Sequence, residues 1–187
     1  MPRNRASSHS IIIAQCQKLG VEYEVLYKLT KPLLQQYCEG RRLAEENRIN
    51  DFMVIDGQKK GIRRRYIEMV KREQKGEKLS PMEIRVFALG VACSSWFGDL
   101  SDKLLGKMKS MLTDGEEMTT ILTMVYLDGE GKTDTAMQNF LHMTNGSYHR
   151  EKKDAIVLYG GIIYEYALSR EKEDIKAGLI DPPDFEL

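Results

Sequence analysis

The sequence predicts an all-α protein. Apolar residues recur at three- and four-residue spacing along most of the chain, no stretch alternates convincingly between polar and apolar, and helix caps and glycine stops punctuate it at short intervals. About eight to ten helices are expected, divisible into two helical subdomains. Composition agrees: 187 residues, 42% hydrophobic and 30% charged, describe a soluble globular chain with one core, or two small ones sharing an interface.

The elements follow in order. Arg3 and Arg5 sit in a flexible basic start, residues 1–9, whose apolar continuation is too short for a secretory signal. Ser7, Ser8 and Ser10 precede a short helix over Ile11–Leu19, stopped by Gly20. Tyr23–Leu29 forms the next segment, and Pro32 opens a further helix carrying Leu33, Leu34, Tyr37 and Leu43, with Gly40 as a break or bend. Residues 50–58 read ambiguously, with Asp56-Gly57 as a turn. Ile62, Tyr66, Met69 and Val70 then share one helical face, while Lys60, Arg64, Lys71 and Lys75 lie opposite, up to Gly76.

Ser80-Pro81-Met82-Glu83 is the strongest local signal, a capping box with proline at the first helical position. The helix it opens, Pro81–Phe97, is apolar on nearly every side and reads as the central buried helix, ended by Gly98. Three amphipathic segments follow, built on Leu104/Met108/Leu112, Met118/Ile121/Val125 and Met137/Phe140/Leu141, with turns at Asp114-Gly115, Asp128-Gly129 and Asn145-Gly146. A last long helix runs from Arg150 to about Lys176, interrupted or bent at Gly160-Gly161. The tail, 179–187, is acidic, proline-bearing and expected to be mobile. The resulting division is 1–9, a basic subdomain 10–78, a second subdomain 79–178, and the tail.

The neutral total conceals a charge split. Residues 1–80 hold 17 Lys/Arg against 10 Asp/Glu, and residues 81–187 hold 11 against 18. Such a molecule suits anionic partners at one end and basic surfaces at the other, and its copies attract one another head to tail. The candidate anion-binding set is Lys59, Lys60, Arg63, Arg64, Arg65, Lys71, Arg72 and Lys75, with Lys78 beside it. Only Glu68, Glu73 and Glu77 lie among these residues, so neighbouring pairs along the helix neutralise little of the charge. Lipid head groups or a phosphate backbone are the matching partners. Stacking aromatics are sparse, which argues against base readout, and KKGIRRR also fits a nuclear import signal.

Other motifs point away from catalysis. Gly131-Lys132-Thr133 ends like a phosphate loop, but Tyr126 stands where the first glycine belongs, so a helix–helix turn with a Thr cap is the better reading. His9, His142 and His149 are distant in sequence from Cys16, Cys38 and Cys93, with no ligand spacing, and no metal or cofactor is expected. The odd, scattered cysteines fit reduced thiols rather than a disulfide framework. Residues 13–29 resemble a helix-turn-helix in pattern, but Glu22 and Glu24 would face phosphates, so an αα-corner is preferred. No apolar run approaches the length of a membrane span.

Several fragments resemble the matrix protein of orthomyxoviruses, the influenza-type viruses. They are Gly61–Ile67 (GIRRRYI), Val70–Glu73 (VKRE), Ala88–Cys93 (ALGVAC), Thr119-Thr120, and Thr144-Asn145 followed by Val157-Leu158. They are scattered with gaps through residues 61–160, in the family's order but with altered spacing. The resemblance implies an all-helical viral structural protein that self-associates beneath the virion envelope, binding anionic membrane and ribonucleoprotein. Host cytoplasm and nucleus would be its other locations, and Arg63, Arg64, Arg65, Lys71 and Arg72 would carry the anionic contacts. The family's Cys/Cys/His/His cluster is not reproduced, which leaves a zinc role unsupported. The alternative is a nucleic-acid-binding nucleocapsid-associated or regulatory protein. An enzyme ranks last, since no nucleophile–base pair or cofactor fingerprint is present, and no small-molecule substrate is expected.

Overall fold

Hydroxyl side chains start four of the helices. Ser7 accepts from the Ser10 N–H and opens α1 (Ser8–Lys18), and Ser80 accepts from the Glu83 N–H and opens α5 (Pro81–Ala92). Thr133 and Thr144 do the same for α8 (Asp134–Phe140) and α9 (Asn145–Lys176). The others are α2 (Tyr23–Gln35), α3 (Tyr37–Glu46), α4 (Phe52–Gln74), α6 (Phe97–Met111) and α7 (Gly115–Leu122), which runs into a single π turn at Thr123–Leu127. This computed structural model describes residues 7–46, 52–185 and 187, and of these the side chains of all but 44–46 and 52–58. Among the described residues there are nine α-helices and no strand, as the all-α reading requires.

The central helix is α9. Every residue from Asp154 to Tyr164 is buried, and α1, α2, α4, α6 and α7 all pack on it. Its hydrophobic surface runs round the whole circumference, which is what a helix enclosed on all sides requires. By contrast, α5 buries Ile84, Ala88 and Val91 but leaves Met82 68% and Val86 63% exposed. The expected Pro81–Phe97 helix is therefore neither central nor continuous: it ends at Ala92, and α6 starts at Phe97.

One main core draws Leu26 and Ile67 together with Leu104, Met118 and Tyr159, so it spans the boundary expected at 78/79. A satellite cluster of Ile121, Met137 and Tyr148 lies under the π turn. The two expected halves thus share their interior.

Several expected breaks are absent. Pro32 sits inside α2, where its missing N–H costs one bond to the Lys28 carbonyl, while Leu29, Leu33 and Leu34 hold the helix in the core. Helix α4 passes through Asp56-Gly57, and α9 through Gly160-Gly161, without interruption. Asn145-Gly146 forms the first turn of α9 rather than a loop. Gly40 lies inside α3 against Ala92, where the missing Cβ lets two helices approach closely. The turn at Asp128-Gly129 is present, with φ +81° at Gly129.

The tail is docked rather than loose: Phe185 and Leu187 pack on the main core, and Arg64 donates to the Asp181 carbonyl. Of the expected flexible start, residues 1–6, with Arg3 and Arg5, lie outside the described residues, while Ser7–His9 cap and begin α1.

Candidate functional site: a basic helix and its flanking cleft

Helix α4 turns Tyr66, Ile67, Met69 and Val70 into the core. That orientation sets its arginines against the acidic half of the chain. Arg63 donates from Nε to Glu171 and from Nη2 to Asp174, each at 2.8 Å, and Arg64 Nε donates to the other Glu171 oxygen at 2.7 Å. The Glu171 side chain is fully buried, and that of Arg63 is 11% exposed. Arg65 spans Glu68 and Glu83 at 3.0 and 2.7 Å, and Arg72 reaches Glu83 at 2.8 Å and Glu77 at 3.3 Å.

The expectation of an unquenched basic wall is therefore corrected at all four arginines. Counting only carboxylates on the same helix overlooked partners that the fold brings from α5 and α9. Arg63 and Arg64, tied to a fully buried carboxylate, act as internal clamps between α4 and α9.

The lysines behave differently. Lys59 lies 5.8 Å from the centre of the Trp96 ring, a cation–π contact, and Lys60 borders the same cleft. Lys71 and Lys75, one turn apart, and Lys78 make no ion pair among the described residues, and the last two are exposed. Gln74 donates to the Gly20 carbonyl, so the end of α4 meets the α1–α2 turn, which adds Lys18 and the carboxylate of Glu22.

Beside α4 opens a cleft of about 500 Å³, walled by α4, α5, α6 and α9. Its apolar surface includes Leu33, Tyr66, Phe87, Trp96, Leu100 and Ile163. Lys59, Lys60, Lys103 and Arg170 also line it, against Asp99 and Asp174. Trp96 Nε1 is shielded from solvent and has no hydrogen-bond partner among the described residues. The enclosed Tyr66 hydroxyl neighbours that of Thr30 without hydrogen-bond geometry, and burial lifts it above the ordinary phenol range. Trp96, Lys103 and Tyr166 were absent from the expected site. The sole tryptophan of the chain, at a helix junction, was the signal that marked the place.

The remaining candidates are dispersed. Thr133 caps α8, and Gly131 takes φ +61° in the preceding turn, so Gly131-Lys132-Thr133 is a helix–helix connection. His9 Nδ1 lies 2.8 Å from Asp154, His149 lies 4.0 Å from Asp134, and Cys38 Sγ contacts the Tyr126 carbonyl. Among the described residues no group of three His, Cys, Asp or Glu gathers at ligand range. Cys16 is buried between α1 and the core, and burial pushes its thiol up to about 11.

An acidic group lies where α1 and α7 meet α9. Asp154 accepts from the Tyr23 hydroxyl at 2.6 Å and Ser8 pairs with Asp114, but Glu151 Oε1 is enclosed without a partner among the described residues. Burial, then Asp114, Asp154 and Glu117, raise the Glu151 carboxyl from 4.5 to about 7. The folded protein thus retains a proton that the unfolded chain releases near 4.5, and this carboxyl's contribution to stability falls as pH rises from 4.5 to 7. Glu151→Gln is expected to match the parent at pH 4.5 and to exceed it by about 1–2 kcal/mol at pH 8. Urea denaturation at the two pH values measures this, and a difference independent of pH would refute it.

The chain matches no protein-family model, no curated protein and no solved structure.

Proposed function

We propose that the protein is a matrix-type viral structural protein: a non-enzymatic module that self-associates and holds anionic membrane and ribonucleoprotein beneath a virion envelope. The observation that carries this reading is the set of ammonium groups at the end of α4. Lys71, Lys75 and Lys78 make no ion pair among the described residues, at an end that also bears Lys18 and, of opposite sign, Glu22. Charges that the fold does not use are available to a partner, at about 1 kcal/mol each near an anionic membrane. The arginines are assigned to the fold, so the contact role passes to these lysines. The fragments of residues 61–160 that resemble orthomyxovirus matrix protein supply the viral setting. Among the described residues no helix is long and apolar enough to cross a membrane, which fits attachment at a surface.

Flotation with phosphatidylserine vesicles tests the reading. Reversing Lys71, Lys75 and Lys78 to Glu together is expected to weaken binding about a hundredfold at low salt, with melting unchanged. Equal flotation on neutral vesicles would refute the membrane role. A steep salt dependence on RNA with no vesicle binding would replace it with the nucleic-acid reading.

Self-association has its own support in α5, where Met82 and Val86, one turn apart, stand uncovered. The double substitution Met82→Glu/Val86→Glu is expected to yield monomers in sedimentation velocity without loss of stability. An unchanged oligomer would exclude this face.

A further inference from the structure

The cleft beside α4 is built for something other than a flat membrane surface. Its walls are largely aromatic and aliphatic, its volume of about 500 Å³ exceeds any packing defect, and its charged groups are Lys59, Lys60, Arg63, Lys103 and Arg170 with Asp99 and Asp174. Those groups are predominantly cationic. Arg63 is already neutralised by Glu171 and Asp174, and Arg170 by Glu173 and Asp174. Lys59, which lies over the Trp96 ring, and the exposed Lys103 make no ion pair among the described residues. At the mouth, Tyr166 and Leu179 are 44% and 60% exposed, so the apolar lining continues out to solvent.

An occupant must therefore combine an extended apolar body with one anionic head that accepts hydrogen bonds. We propose that the cleft binds a single-chain anionic amphiphile, a long-chain carboxylate, with its head held by Lys59 and Lys103 and its chain lying over Trp96, Phe87 and Tyr66. A neutral chain would leave Lys59 and Lys103 with only Asp99 as a counter-charge in the lining, and a small polar anion would leave the aromatic walls wet. The proposal goes beyond surface attachment and uses a different set of lysines.

The lone tryptophan of the chain lies in the wall, so the intact protein reports on its own cleft. Titration with 9,10-dibromostearate below its micellisation threshold is expected to quench Trp96 emission saturably, with oleate competing. Oleyl alcohol is expected to compete about tenfold more weakly, and Lys59→Glu/Lys103→Glu to lower dibromostearate affinity by about the same factor. Circular dichroism of that variant checks that it folds. As a variant that keeps both lysines and the single tryptophan, Leu100→Phe narrows the cleft and is expected to weaken the saturable quenching by dibromostearate. Absence of saturable quenching, or equal affinity for acid and alcohol, would overturn the proposal. Quenching only by phosphatidylserine vesicles with brominated chains would also overturn it, because the chain would then be membrane-borne. Vesicle flotation without quenching by the free acid leaves surface attachment standing and removes the cleft site.

Discussion

Arg63→Ala is expected to destabilise the fold by about 3 kcal/mol, the largest single effect among the charged residues of α4. The guanidinium bridges Glu171 and Asp174 from a position almost closed to solvent. Removing it leaves Asp174 with only the longer contact to Arg170, at 3.7 Å, and Glu171 with Arg64 alone. A carboxylate stripped of its main partner in such a place retains the cost of dehydration without the attraction that offset it. Urea denaturation would show a lower midpoint at constant slope. The paired substitution Arg63→Met/Glu171→Met is expected to recover part of the loss, because the fully buried Glu171 charge goes with its partner and Arg64 can turn to water, while Asp174 keeps only Arg170. A cost below about 1 kcal/mol for Arg63→Ala would mean that the pair behaves as a surface contact.

Gly40→Ala is expected to cost about 3 kcal/mol, at the upper end for overpacking. A Cβ at this position would fall 2.5 Å from the Ala92 carbonyl carbon and 2.8 Å from the Cys93 nitrogen. Both are backbone atoms, so no rotamer change relieves the clash, and α3 must move away from α5. The usual gain in helix propensity from Gly to Ala, about 1 kcal/mol, acts in the opposite direction and is too small to win. A thermal shift series at Gly40 and at Gly61, where a Cβ meets open space, separates the two effects. Gly61→Ala is expected to stabilise the protein by several tenths of a kcal/mol. Equal responses at the two sites would argue against close α3–α5 contact.

Local signals in the sequence were legible where they acted locally. Ser80-Pro81-Met82-Glu83 starts a helix because its cap is complete within four residues. The Thr133 cap and the Asp128-Gly129 turn are of the same kind. Signals that depended on tertiary context were misread. Gly40 and Gly160 looked like breaks, yet they are contact points where another helix needs the space of a side chain. The apolar circumference of Pro81–Phe97 suggested the centre of the molecule, a place that belongs to α9, whose uninterrupted apolar run, 155–164, is flanked by charged residues at both ends. The Arg63–Glu171 link joins residues 108 positions apart. The charge split announced the attraction, but not that it is satisfied within one chain. The cleft left one trace in the sequence, the single tryptophan at a helix junction, because its walls come together only through the spacing of separate helices.

The placement of Cys16 makes the protein its own clock for local opening. The thiol lies under α1, 5% exposed, with its ionisation suppressed by burial, so an alkylating reagent reaches it only when that helix lifts. In a Cys38→Ser/Cys93→Ser background, the rate of modification counts those excursions directly. The first helix of the chain, rather than the charged fourth, is then the element whose breathing can be timed without any added label.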